Sequence, residues 1–168
     1  MQDTSTTCLP QAGAQDDKKK ETMYKIQLHT KKRLADTTTP VSIYLRLRDV
    51  FPNTILLESS DYHSRENATS YVCAEPIAGI ILKEGLLSTY FPDGTKESKT
   101  DFVLIDEVAA FKAKFNPVNS VKEKHISTGL FGYFTWNAVQ HFEDIKFTSA
   151  MPDEDKIPEM QYHVYRYI

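Results

Sequence analysis

Apolar and polar positions alternate from the first ordered-looking stretch. Tyr24, Ile26 and Leu28 are separated by Lys25, Gln27 and His29, which is the two-residue period of a strand. Thr37-Thr38-Thr39-Pro40 then opens a helix. Thr39 suits the cap, and Pro40 suits the first turn because its missing N–H has no helical partner there. Val41, Tyr44, Leu45, Leu47 and Val50 fall mainly on one face, and Phe51-Pro52-Asn53 closes the helix. Residues 54–59 read as a short apolar strand and residues 60–68 as a polar loop. Two further strands, residues 69–74 and 77–82, are expected on either side of Glu75-Pro76.

Residues 86–91 read as another strand, closed by Pro92-Asp93-Gly94. Proline presets φ in such a turn, and glycine accepts a positive φ. A short polar strand after it would complete a hairpin. Leu104, Val108, Phe111 and Phe115 recur at helical spacing, with Asn116-Pro117 as the stop. Residues 129–134 read as a buried strand with small Gly129 and Gly132, and residues 137–142 as a short helix. The glycines permit close backbone approach. Residues 151–157 form an acidic loop, and Met160, Tyr162 and Val164 mark a last strand. Strands in runs with few helices predict an α+β fold with a largely antiparallel sheet. Residues 1–22, with the charge cluster Asp16-Asp17-Lys18-Lys19-Lys20-Glu21, have too little to bury and read as a disordered tail. Residues 23–168 read as one domain, and the final strand is expected to continue into further sequence.

Composition narrows the function classes. Apolar residues make up 40% of the 168, enough for a core. The longest uncharged apolar run, Pro76 to Leu82, is far short of the roughly 20 residues of a membrane span. Twenty basic residues against 23 acidic ones give a net charge of −3. No nucleic-acid partner and no membrane partner are therefore expected. Cys8 and Cys73 make neither a disulfide framework nor a zinc site, so a reducing cytoplasm is the expected compartment. Asn67-Ala68-Thr69 fits a glycosylation sequon without a preceding secretory signal.

Chemistry is sparse. There is no Gly-rich phosphate loop, no His-Glu-x-x-His and no Gly-x-Ser-x-Gly, and no catalytic residue is assigned. His63, beside Glu58 and Asp61, reads as a surface histidine, and Asp153-Glu154-Asp155 as a solvated acidic turn. Trp136, among Phe131, Tyr133 and Phe134, reads as core. Leu56-Leu57-Glu58-Ser59-Ser60 is the most suggestive stretch, because an apolar strand delivers a carboxylate and two hydroxyls at its end. A carboxylate can pair with a ligand ammonium, and a hydroxyl or backbone N–H can bond a ligand carboxylate. Those are the needs of an amino acid. A plain strand end with its polar residues in water fits the same residues.

In this order the segments resemble the N-terminal region of anthranilate synthase component I, of the chorismate-utilising enzymes. The resemblance rests on Thr39-Pro40-Val41, on Leu56-Leu57-Glu58-Ser59, and more loosely on residues 70–76. It continues through Gly129, Gly132, Tyr133, Trp136, Asn137, Gln140 and Glu143, and through Pro158-Glu159-Met160-Gln161-Tyr162. It implies a truncated N-terminal portion of that fold, without the catalytic domain that would follow Ile168. In the family, chorismate and ammonia yield anthranilate and pyruvate, a lyase reaction of tryptophan biosynthesis. A glutamine amidotransferase subunit, component II, supplies the ammonia. The resemblance implies a magnesium site in the missing domain and no cofactor in this chain. It further implies a share in the feedback site for L-tryptophan, on Ser59 and Glu58, with Leu57 and Pro40 near the pocket. This chain alone is expected to be inactive.

Departures accompany the match. Ala68 and Thr69 stand where some members carry a basic residue, with Arg65 as a substitute contact. Asn137 and Gln140 replace an Asp and an Arg, so the family's ion pair is not expected there. Alternative readings are the corresponding region of aminobenzoate synthase component I, or a free-standing module binding an amino acid or a protein.

Overall fold

In the computed structural model the described residues are 23–59, 69–118, 129–145 and 157–168. The readings of residues 1–22, 60–68 and 151–156 lie outside them, as do those of Cys8, His63, Arg65 and Asn67. Helix α1 runs Pro40–Arg48 from a reciprocal cap. Thr39 Oγ1 accepts from the Ser42 N–H at 3.2 Å, while Ser42 Oγ accepts from the Thr39 N–H at 3.2 Å. Two N-terminal donors are thereby satisfied. The expected apolar face of α1 is less enclosed than its spacing suggests. Val41, Leu45 and Val50 are exposed, and no α1 residue is buried.

The strands are β1 (Tyr24–Ile26), β2 (Ile55–Glu58), β3 (Ser70–Lys83), β4 (Leu86–Tyr90), β5 (Lys96–Lys99), β6 (Phe115–Pro117), β7 (Phe131–Phe134) and β8 (Met160–Tyr167). Five of them run in the order β5-β4-β3-β8-β7, and β2 pairs with the start of β3. All pairings in this sheet are antiparallel, so the fold is α+β as expected. Gly94, at φ +84°, makes the expected turn between β4 and β5.

Glu75-Pro76 does not divide the segment into separate strands. It bends one long strand: Glu75 takes a left-handed φ of 58°, and the pairing with β8 shifts between Pro76 and Ala78. Proline is tolerated at such a bulge because it has no N–H to give to a ladder.

Helix α2 (Leu104–Ala113) covers one sheet face. Ala78, Ile80 and Leu82 of β3 point to that face together with Leu87, Met160 and Val164, and meet Leu104, Phe111 and Phe91. Full burial of each Leu, Ile or Met here stabilises by about 1.5–3 kcal/mol. Phe115 does not extend the helix. It lies in β6, which pairs in parallel with β1, and its ring stacks 5.6 Å from Tyr24. Its apolar spacing is used, but on a strand.

Residues 129–134 are less buried than expected, with Tyr133 37% and Phe134 44% exposed. Trp136 is not core: it is 81% exposed. It opens a 3-10 helix, Trp136–His141, whose inward position is Ala138. At three residues per turn, Ala138 and His141 share an edge that Trp136 does not. His141 Nε2 lies 2.7 Å from Glu159 Oε2 on that edge.

Candidate functional site

The strand end singled out by sequence is β2 with its following residue. β2 pairs with the first residues of β3, placing Leu56 opposite Val72, Leu57 opposite Tyr71 and Glu58 opposite Ser70. The Ser59 N–H donates to the Thr69 carbonyl at 3.1 Å, so the pairing continues one residue past the strand. The Thr69 N–H makes a long contact to Ser59 Oγ at 3.5 Å. That contact uses the hydroxyl as an acceptor, which leaves its hydrogen for a further partner.

Glu58 and Ser59 are both exposed, whereas Leu57 is half-buried. Pro40, half-buried at the head of α1, belongs to a helix that packs on β2 and β3. The structure thus brings Leu57, Glu58 and Ser59 together at one strand end and sets the helix of Pro40 against that strand. The arrangement offers a carboxylate, a hydroxyl and an adjoining apolar side chain in reach of solvent. As neighbours on a paired strand, Glu58 turns to one face and Leu57 and Ser59 to the other, so the carboxylate that would pair with a ligand ammonium stands on the far side from the hydroxyl.

A cavity of about 420 Å³ lies elsewhere, on the α2 face, lined by Ile26, Ala109, Lys112, Phe115, Leu130 and Val164 among others. None of the four predicted residues lines it. Val164 stands opposite Ala78, eight residues along β3 from Ser70, or up to about 25 Å of strand.

Sequence reasoning missed a polar row farther along β3, beyond the residues that pair with β2. On the face of the sheet turned away from α2, one pairing row runs Phe131, His163, Gly79, Tyr90 and Lys96 across five strands. His163 is buried at 2% exposure and bonded through both ring nitrogens. Gln161 Nε2 lies 2.8 Å from its Nε2, and Tyr90 Oη lies 2.9 Å from its Nδ1. An amide N–H donating to Nε2 makes the ring the neutral tautomer with its proton on Nδ1, aimed at Tyr90. Tyr133 Oη donates to Gln161 Oε1 at 3.4 Å, extending the chain. Burial pushes the imidazole below its ordinary 6.5, against a smaller opposing effect from a backbone hydrogen bond at Ala78.

Tyr165 lies two residues along β8 from His163, opposite Pro76, and links this row to the entrance of β2. Its ring meets the His163 ring edge-on at 5.7 Å, and its hydroxyl donates to the Asn53 carbonyl at 2.8 Å. Burial raises the Tyr165 phenol well above its usual value, and raises the Cys73 thiol to about 12. Both stay protonated at neutral pH. No short-range sequence signal marks His163 or Tyr165, because their partners come from other strands.

No family model matches the chain. Curated proteins do. The chain is 29% identical over 131 residues to anthranilate synthase component 1 of Pseudomonas putida, covering 76% of this chain and 26% of that protein. It is 29% identical over 140 residues to anthranilate synthase component 1 of Aquifex aeolicus, covering 79% and 25%. The likeness read from the motifs is therefore found by direct comparison as well. The chain spans about a quarter of the length of the curated relatives it matches. Among the described residues no helix is long and apolar enough to cross a membrane.

Proposed function

We propose that this chain is the N-terminal regulatory and scaffold portion of an anthranilate synthase component 1, acting in tryptophan biosynthesis in the cytoplasm. Its role is to supply one wall of a feedback site for L-tryptophan. Ser59 holds the ligand by its hydroxyl and backbone, Glu58 pairs with the ammonium, and Leu57 and Pro40 border the apolar side. The reading is carried by one coincidence: a chain similar to this enzyme component also ends its β2 strand in an exposed carboxylate and hydroxyl.

The chemistry of the whole enzyme belongs to the rest of a full-length component 1. That remainder would take chorismate, hold magnesium and work with a glutamine amidotransferase subunit as its ammonia source. Among the described residues no three His, Cys, Asp or Glu side chains stand together as a metal-holding group. No catalytic step is assigned to them. Feedback couples two sites through two global states, so one portion of the system alone is not expected to show it.

The purified chain, given chorismate, magnesium and ammonia, is expected to form no anthranilate. Calorimetry with L-tryptophan is expected to show weak or undetectable heat. Anthranilate production by this chain would overturn the assignment of inertness.

A further inference from the structure

The pairing register of β2 decides which side chains stand at the candidate site. A slip of one residue would exchange the places of Leu57 and Glu58. Two features usually prevent such a slip, and both are weak here. A tight hairpin turn pins register, but β2 and β3 are joined through residues 60–68. Alternating hydrophobicity also pins it, but Ile55, Leu56 and Leu57 are three consecutive apolar residues, all half-buried. The run of three therefore resists a slip only through its last position, where the exposed Glu58 carboxylate would move to the half-buried side.

The entrance to β2, by contrast, is held firmly. Asn53 sits in the left-handed region at φ 58°. Its carbonyl accepts from Tyr165 Oη at 2.8 Å. Buried Thr54 donates through Oγ1 to the Phe51 carbonyl at 2.7 Å. The Phe51 ring meets that of Tyr167 at 6.0 Å. Tyr165 and Tyr167 are themselves locked to β3, opposite Pro76 and Ala74. Strand β8 therefore fixes β3 and the start of β2 at once.

We propose that Tyr165 is a positioning residue: its hydroxyl, through the Asn53 carbonyl, sets the register of β2 and so places Glu58 and Ser59. The importance of that placement rests on the amino-acid-site reading above; the register claim does not.

Tyr165→Phe keeps the ring and removes only the donor. In the full chain, nuclear magnetic resonance should then show a second set of amide signals for Ile55–Glu58 and residues 70–73. Hydrogen exchange there should quicken on the order of fivefold, the scale of one lost hydrogen bond. Exchange where β3 pairs with β4 should stay unchanged, which separates positioning from general destabilisation. A single unshifted signal set with unchanged exchange would overturn the proposal. A second variant keeps the test open if Tyr165→Phe does not fold. Two glycines inserted after Ser64 should leave the Leu57–Tyr71 cross-strand contacts in place, and a changed register in that variant would show that the connection sets it instead. None of these readouts needs ligand, so a failure to bind L-tryptophan would count against the function alone.

Discussion

Tyr90 and His163 lean together over Gly79, their rings 5.9 Å apart, and a Cβ on that glycine would collide with both. Gly79 is thus a notch that lets a hydroxyl on β4 reach an imidazole on β8 across the strand between them. Gly79→Ala should destabilise the chain by about 2–4 kcal/mol, as overpacking together with a disrupted buried hydrogen bond. Gly132→Ala should cost more. There the added carbon would meet the backbone carbonyl of Gln161, which cannot rotate away. Denaturant unfolding of the two variants should rank them in that order.

His163 makes stability sensitive to acid. Its folded-state pKa lies below the ordinary 6.5, so the folded chain prefers the neutral ring. That preference is fully present above pH 6.5 and is lost as pH falls through 6.5 toward the depressed value. No carboxylate in the pairing row offsets the charge: Tyr90 adjoins the ring, with Lys96 beyond it. Melting temperature should fall between pH 7 and pH 5, and His163→Gln should flatten that slope. An equal slope in the variant would place the acid sensitivity elsewhere.

The cap of α1 should matter alongside its packing. Pro40, Tyr44 and Leu47 are only half-buried, and the Thr39–Ser42 exchange of hydrogen bonds secures the first turn. Thr39→Ala should cost about 1 kcal/mol. Amide exchange should rise within Pro40–Arg48 while the sheet is unaffected.

What sequence reveals divides along the line between local and cross-strand physics. Thr39-Pro40 and Pro92-Asp93-Gly94 work through neighbouring backbone groups, and both features stand where expected. Glu75-Pro76 has the composition of a break, yet a bulge inside a paired strand needs the same two properties. Phe115 has helical spacing from Phe111, but its partner Tyr24 lies far away in sequence and draws it into a strand. Trp136 reads as core by its aromatic company, and only the 3-10 turn shows that Ala138 faces inward instead. At the candidate site, Glu58 and Ser59 are legible as a polar strand end. The support from Tyr165 is not, because it depends on how β8 lies beside β3.

On the proposed function, Glu58 and Ser59 would form one wall of a tryptophan site that works only inside a larger enzyme. A chimera tests it most directly, with this chain replacing the matching segment of a tryptophan-inhibited anthranilate synthase component 1. Ammonia-dependent anthranilate formation should persist and be inhibited by L-tryptophan. Ser59→Ala should raise the inhibitory concentration by roughly tenfold, the scale of one hydrogen bond to a charged ligand group. An active chimera that L-tryptophan inhibits equally with or without the Ser59 hydroxyl and the Glu58 carboxylate would contradict the account.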